Sequence, residues 1–361
     1  MIKIELSREV ESKHLKYFEQ TILCRFDGTS VDLYFEEYED HHREFMRYCK
    51  QHYEVLAIGK PSLLKEFMKN IPDLSRKLLQ DNPTFYRITE GGEKVGYCKY
   101  LLEIFNYTKF SELNNIVANE MITQNVYKEI KPNLIKESWN PYAFVMMTGI
   151  RICPYCNRQY ITPIYQHSNI YSKKHKLRAD LDHFYPKDKY PYLAMSLYNL
   201  VPCCKFCNSS LKNIKEFGFD DVNPYEANFD DYFKFKVNWL DEKMPDIYIE
   251  KTSDKSIDNY LDFFQIETLY KYHNNQAEEL IRKRIIYSES YLEELYNNNK
   301  NYFESKEAIK ELVIGYIANK GDFNNEAFSK LRRDISEQLN FIDYSPDAEH
   351  IDELKCLIKN K

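Results

Sequence analysis

The sequence contains few of the residues that break regular structure, and it lacks long apolar runs. Among 361 residues there are 9 glycines, 13 prolines and 2 tryptophans. No apolar run approaches the roughly 20 residues of a membrane span, and none follows the opening MIKIELSREV as in a secretory signal. These absences argue against a membrane-spanning or secreted chain, and we expect a cytoplasmic protein.

The overall composition predicts an ordered, mostly helical protein. Hydrophobic residues make up 43% of the chain and charged residues 29%, and there are 31 tyrosines and 22 phenylalanines. Helical periodicity covers much of both ends of the chain, for example over residues 113–130. We therefore expect an α+β fold in which a small module lies between two helical regions. The predicted boundaries are 1–145, 146–225 and 226–361.

The net charge is −6, which argues against general coating of nucleic acid, but the charge is unevenly distributed. Residues 151–215 carry eleven Lys or Arg against three Asp or Glu, a net of +8, which leaves about −14 elsewhere. A basic segment within an acidic chain is typical of a phosphate-binding surface. The alternative is a solvated loop that happens to be basic, since residues 173–178 supply four of these charges.

Nine cysteines are present, but they do not read as the disulfide set of a secreted domain. Five of them lie within 55 residues in the middle of the chain. The others are scattered singly in helix-like sequence, where a buried free thiol is the expected role. The scattered cysteines are Cys24, Cys49, Cys98 and Cys356.

Two C-x-x-C pairs predict a structural zinc site. Cys153 and Cys156 form the first pair, and Cys204 and Cys207 form the second after 47 intervening residues. Each pair bends the backbone so that both sulfurs face one metal, and two pairs complete the tetrahedral thiolate set that Zn²⁺ prefers. A redox role is disfavoured because the βαβ context is missing. Cys203 is an alternative to Cys204 as a ligand.

A second pattern of polar residues lies between and beside these pairs. Asp182 and His183 end the strand-like stretch RADLDHF, Asn199 precedes L-V-P, and Asn208 follows the last cysteine of the second pair. Taken singly, these residues are compatible with a surface histidine, a turn residue and a helix cap. Together, D-H-F-x-P-K, N-L-V-P and C-x-x-C-N resemble the HNH endonuclease family, over roughly residues 150–213.

The resemblance implies a ββα-metal fold that hydrolyses phosphodiester bonds. Such hydrolysis needs an activated water, a metal that neutralises phosphoryl charge and stabilisation of the leaving 3′ oxygen. His183 would be the general base, and Asn199 would hydrogen-bond and orient the loop that bears it. Asp182 and Asn208 would hold one Mg²⁺ or Mn²⁺ through oxygen atoms, with Asn208 in place of the pattern's final histidine. The residues expected to contact phosphate are Lys187, Lys212 and Arg158.

The longer run CPYCNR, DHFYPK and YNLVP is similar to the HNH subunit of Septu-type anti-phage systems, including retron-linked forms. That similarity implies a DNA-cutting effector, with DNA favoured over RNA, and a separate ABC-type ATPase partner. The chain has no GxxxxGK[ST] loop, so any ATP dependence would come from that partner.

Two other functions are compatible with the same residues. A zinc-knuckle module could bind nucleic acid or a partner without cutting, and an RNase-type toxin could act on RNA. The combination of Asp182, His183 and Asn208 favours an enzyme, because a binding module has no need of this set. Lys187 and Lys212 are equally compatible with ordinary surface lysines.

Overall fold

The computed structural model describes residues 2–26, 36–86, 93–112, 139–165, 176–239, 245–315 and 323–341. Within these ranges the protein is mostly helical with small two-stranded antiparallel sheets, which is an α+β composition. The helix expected over residues 113–130 lies outside the described ranges. No helix in the described part of the chain is both long and apolar enough to cross a membrane.

The chain divides into two compact units, each built from separate stretches of sequence. The N-terminal unit consists of Ile4–Ile150 and Ile161–Glu226, and the C-terminal unit of Met1–Lys3, Arg151–Tyr160 and Ala227–Lys361. Of residues 146–225, the stretch 151–160 with the first cysteine pair belongs to the C-terminal unit, and residues 146–150 and 161–225 belong to the N-terminal unit.

In its described residues, the N-terminal unit holds helices, three two-stranded sheets and one π-helical segment, Phe206–Lys212. Its strands pair in chain order, so that β1 pairs with β2, β3 with β4 and β5 with β6. The strands are β1 (Thr84–Tyr86), β2 (Lys94–Gly96), β3 (Ile164–Tyr165), β4 (Lys176–Leu177), β5 (Asp180–His183) and β6 (Leu200–Cys203). The described helices are α1 (Arg8–Thr21), α2 (Glu36–Gln51), α3 (Tyr53–Ile58), α4 (Pro61–Lys69), α5 (Asp73–Asp81), α6 (Tyr97–Phe105), α7 (Tyr107–Glu112) and α8 (Pro141–Thr148).

Local capping explains where two of these helices begin. Ser7 accepts a hydrogen bond from the Val10 N–H at 3.3 Å and so starts α1. Asn140 accepts from the N–H groups of the second and third residues of α8, and Pro141 takes the first helical position, where its missing N–H costs nothing. The Asn140-Pro141 pair is therefore a helix start.

A fully buried histidine joins three distant segments of the N-terminal unit. His14 on α1 donates from Nε2 to the Met195 carbonyl at 2.8 Å, and its Nδ1 accepts from the Trp139 indole N–H at 3.0 Å. Both nitrogens are satisfied only in the neutral ring. Burial accordingly lowers the pKa of His14 from 6.5 to about 4, although the bond to Met195 acts in the opposite direction.

The C-terminal unit combines a hairpin with a group of helices. Strand β7 (Phe233–Asn238) pairs antiparallel with β8 (Asp246–Lys251) over six residues, and the aromatic side of β7 is buried. Lys330, which is fully buried, bonds Asp230 at 2.6 Å and Asp334 at 3.0 Å. The described helices are α9 (Asp258–Phe263), α10 (Ile266–Lys271), α11 (Asn274–Ile286), α12 (Glu289–Asn298), α13 (Lys306–Ile314) and α14 (Ser329–Gln338).

We predict that acid destabilises the N-terminal unit through His14. The unfolded chain takes up this proton near pH 6.5 and the folded chain only near pH 4. The free energy of unfolding therefore falls as pH drops through this window, by roughly 3 kcal/mol at about 1.4 kcal/mol per pKa unit. Urea unfolding at pH 7 and pH 4.5, followed by tryptophan fluorescence, should show a smaller pH dependence in His14→Gln than in wild type. His52→Gln, at a half-buried histidine, is the control, and an unchanged pH dependence in His14→Gln would contradict the assignment.

Candidate metal and catalytic site

Four buried cysteines form a group that can bind a structural metal such as zinc. Their sulfur atoms all lie within 4.8 Å of one another. Four thiolates are the donor set of closed, structural zinc sites, which leave no open position for a substrate. Cys203, although buried, is outside the group, because it ends β6 opposite Asp180. The group consists of Cys153, Cys156, Cys204 and Cys207, so the second pair supplies Cys204 and not Cys203.

The first cysteine pair is held by hydrogen bonds within the C-terminal unit. Asn157, with φ of +49°, adopts the left-handed conformation directly after Cys156. Its Nδ2 donates to the Phe323 carbonyl at 3.0 Å, and its Oδ1 accepts from the Lys330 N–H at 3.1 Å. The hydroxyl of Tyr270 donates to the Cys156 carbonyl at 2.6 Å. The backbone turn that carries both sulfurs is therefore fixed by helices far away in sequence.

The second cysteine pair lies at the start of the π-helical segment, with Cys204 just before it and Cys207 inside it. The Cys207 N–H donates to the Cys204 sulfur at 3.4 Å, a bond that keeps the turn tight. The Asn213 N–H then reaches the Asn208 carbonyl five residues back at 3.0 Å, which is the π-helical pattern. Because π-helical turns are rare and concentrate at functional sites, this segment is notable for carrying Cys207 and two predicted site residues, Asn208 and Lys212.

Strands β5 and β6 form the hairpin that brings the predicted catalytic residues together. Asp182 pairs with Val201 and His183 with Leu200, so both predicted site residues stand at the end of β5. The π-helical segment follows β6 after two residues and contacts β5. The chain order here is strand, strand, helix.

His183 is buried, with 9% of its surface exposed, and its ring is held in one tautomer. Its Nε2 lies 3.0 Å from the Ala194 carbonyl, which can only accept, so Nε2 carries the proton and Nδ1 keeps the lone pair. Burial lowers the pKa of His183 to about 4; the Ala194 bond and Asp182 act to raise it, and Lys187 acts to lower it. The ring is therefore neutral at pH 7.

Asn199 lies at the base of the loop that follows His183. Its Oδ1 accepts from the Tyr185 N–H at 2.7 Å, and its Nδ2 donates to the carbonyls of Tyr185 and Leu193, each at 3.0 Å. Its own carbonyl accepts from the Phe184 N–H at 2.9 Å. One fully buried side chain thus fixes both ends of the loop that carries Lys187.

The two predicted magnesium ligands each contact a different partner. Asp182 forms a buried ion pair with Lys212, whose Nζ lies 2.8 Å from both carboxylate oxygens. Asn208 donates from Nδ2 to Asp180 at 3.2 Å. Asp180 and Asp182 share one side of β5, and Asn208 and Lys212 lie four residues apart on the helical segment facing it. The Asp182–Lys212 and Asn208–Asp180 contacts therefore lie side by side between β5 and the helical segment.

The three residues expected to contact phosphate have different surroundings. Lys212 is only 2% exposed and points to Asp182 rather than to solvent. Lys187 is half-buried, with its ammonium 5.2 Å from the centre of the Tyr107 ring. Arg158, in the C-terminal unit, donates from Nε to His273 at 3.1 Å. Lys187 is therefore more exposed to solvent than Lys212.

Two residues near His183 were not predicted from the sequence. Tyr107 on α7 packs its ring edge-to-face against His183 at 4.3 Å between ring centres, and burial raises the pKa of Tyr107 to about 12. Nothing in the sequence near Tyr107 signals this contact, since the two residues are far apart. For Asp180 the sequence did contain a signal: in D-L-D the two aspartates fall on the same side of a strand, so Asp180 could have been predicted to lie beside Asp182.

We compared the chain with protein-family models, with curated proteins and with solved structures, and none of the three comparisons gave a match. They neither support nor contradict the resemblance to HNH endonucleases.

Zinc content should separate the two adjacent cysteines. We expect Cys204→Ser to lose bound zinc because it removes one of four thiolates, whereas Cys203→Ser should retain wild-type stoichiometry. Elemental analysis of the purified variants, beside their circular dichroism, makes the measurement. Full zinc content in Cys204→Ser would show that another group supplies the fourth ligand.

Removing the Asn199 amide should destabilise the folded protein. We predict that Asn199→Ala lowers the free energy of unfolding by roughly 3 kcal/mol, because it leaves one N–H and two carbonyls buried without this partner. Asn208→Ala, which removes one bond at a half-buried position, is the matched control and should cost less than about 1 kcal/mol. Equal losses in urea unfolding would contradict the positioning role of Asn199.

Proposed function

We propose that this chain is a metal-dependent HNH-type endonuclease that hydrolyses phosphodiester bonds. The placement of His183 supports this proposal most directly. A neutral imidazole stands at the end of β5 with its proton on Nε2 and its lone pair on Nδ1. Beside it are a carboxylate, Asp182, and a loop that Asn199 holds through three side-chain bonds.

His183 would act as the general base. The Ala194 carbonyl fixes the ring orientation, and Nδ1 is free to accept a proton from an attacking water. On taking that proton the ring would become a cation, and the adjacent Asp182 carboxylate favours the charged form. The edge-to-face contact with Tyr107 holds the ring from another side.

The oxygen atoms around Asp182 fit a hard divalent cation. Both carboxylate oxygens and the carbonyls of His183 and Phe184 converge on one point, which the Lys212 ammonium fills here. Carboxylate and carbonyl oxygens are the preferred ligands of Mg²⁺ and Mn²⁺, and the Asn208 amide could add another. When bound, such an ion would neutralise phosphoryl charge and stabilise the leaving 3′ oxygen.

We further propose DNA as the substrate and an anti-phage role beside an ABC-type ATPase. The net charge of +8 over residues 151–215 supports a nucleic-acid substrate, since neutralising phosphates is the main source of affinity for the backbone. The ATPase is proposed from the similarity to Septu-type proteins. The alternative is a zinc-knuckle binding module, which would need neither the neutral base nor the buried carboxylate.

His183→Ala should abolish cleavage without disturbing the fold. The test incubates zinc-loaded protein with duplex DNA, single-stranded DNA and RNA in Mg²⁺ or Mn²⁺, with and without the candidate ATPase. We expect wild type and the control His52→Ala to cut, and His183→Ala to lose at least about 100-fold in rate, as for a lost general base. Binding without cutting in wild type under every condition would favour the binding-module alternative.

A further inference from the structure

The surroundings of the Lys212 ammonium are those of a bound metal ion. Nζ lies 2.8 Å from each Asp182 oxygen, 2.5 Å from the His183 carbonyl and 3.4 Å from the Phe184 carbonyl. A bidentate carboxylate with main-chain carbonyls is a donor set that proteins use for hard cations. The ammonium therefore occupies a site formed by oxygen atoms of Asp182, His183 and Phe184. We call this site the Asp182 cradle.

The cradle is enclosed. The Asp182 and Lys212 side chains are 7% and 2% exposed. The Phe217 ring lies 5.6 Å from the ammonium and stacks on Phe184 at 4.5 Å between ring centres. Such an ion pair is hard to separate without a replacement charge, because a lone buried carboxylate carries a large desolvation penalty.

We propose that Lys212 is a resident cation that occupies the Asp182 cradle and competes with the divalent metal for it. Two positive charges cannot share the same pair of carboxylate oxygens. Two cations bound to the same oxygens would lie only about 4 Å apart, where their repulsion amounts to several kcal/mol even in a partly screened site. Metal binding at Asp182 thus requires Lys212 to leave. The lysine keeps the buried carboxylate neutralised while no metal is bound and weakens the apparent metal affinity.

The position of Lys212 in the chain is compatible with its release. It is the last residue of the π-helical segment, and Asn213 after it has φ of +45° and ψ of −113°. The following residue, Ile214, is 86% exposed. A lysine side chain is long and flexible, and Lys212 lies four residues after Asn208 in the same segment.

This inference rests on the proposed function, because Asp182 is the carboxylate that would hold the catalytic metal. Its test measures metal binding and not activity. Free Mn²⁺ is measured by electron paramagnetic resonance during titration of zinc-loaded full-length protein, and thermal unfolding is followed with and without Mn²⁺. The variants are Lys212→Met, Lys212→Gln, which retains a hydrogen-bond donor for Asp182, and the double variant Asp182→Asn with Lys212→Met. Lys189→Met, at an exposed lysine paired with Glu216, is the control.

We expect Lys212→Met and Lys212→Gln to bind Mn²⁺ at least about tenfold more tightly than wild type and Lys189→Met. Mn²⁺ should also raise the melting temperature more in these two variants than in wild type. The double variant should lose the gain, since its tighter binding depends on the carboxylate.

Two outcomes overturn the inference, and they are distinguishable. If wild type binds Mn²⁺ through Asp182 and cuts nucleic acid, but both Lys212 variants bind no more tightly, Lys212 does not compete and the proposed function stands. If no variant binds Mn²⁺ and wild type cuts nothing, the inference and the proposed function fail together. Should Lys212→Met not fold, Lys212→Gln alone decides between these results.

Discussion

The antiparallel pairing of β5 with β6 is the constraint on which the candidate site depends. Four residue pairs, from Asp180 opposite Cys203 to His183 opposite Leu200, set which side chains meet. A slip of one residue would turn every side chain of β5 to the opposite face and separate Asp182 from Lys212. Asn199 lies immediately before β6 and bonds Tyr185 and Leu193 in the loop between the two strands. These bonds fix the register at the loop end of the hairpin. His183, Asp182 and the loop are therefore one structural unit.

Burial controls the chemistry of this unit. It lowers the pKa of His183 and so keeps a proton acceptor at neutral pH. It also makes Asp182 expensive to leave unpaired, and Lys212 supplies the compensating charge. A low-dielectric pocket strengthens both effects, which explains why one short hairpin can hold a neutral histidine next to a charged aspartate.

Part of this arrangement was predictable from the sequence. Two C-x-x-C pairs were enough to predict the cysteine group, because the spacing within each pair sets the direction of the sulfurs. The choice of Cys204 over Cys203 depended on the three-dimensional structure. The mostly helical α+β composition was also predicted and is confirmed. The Lys212 ion pair was not, because a lysine after C-N-S-S-L is equally compatible with a surface position. Nor could local sequence place Tyr107 against His183, since that contact depends on how α7 packs. The assignment of residues 151–160 to the C-terminal unit depends likewise on distant partners such as Tyr270.

The chemistry of the cut ends tests the central claim most directly. In the proposed mechanism, water activated by His183 would leave a 5′-phosphate and a 3′-hydroxyl and would need no 2′-hydroxyl, and a metal held at Asp182 would supply stabilisation of the leaving 3′ oxygen. Cleavage products of a DNA oligonucleotide, made by wild-type protein in Mg²⁺ or Mn²⁺, would be analysed by mass spectrometry and by polymerase extension. The account predicts extendable 3′-hydroxyl ends that disappear on chelation of the divalent ion. Products confined to RNA and ending in 2′,3′-cyclic phosphate, formed without divalent metal, would contradict it.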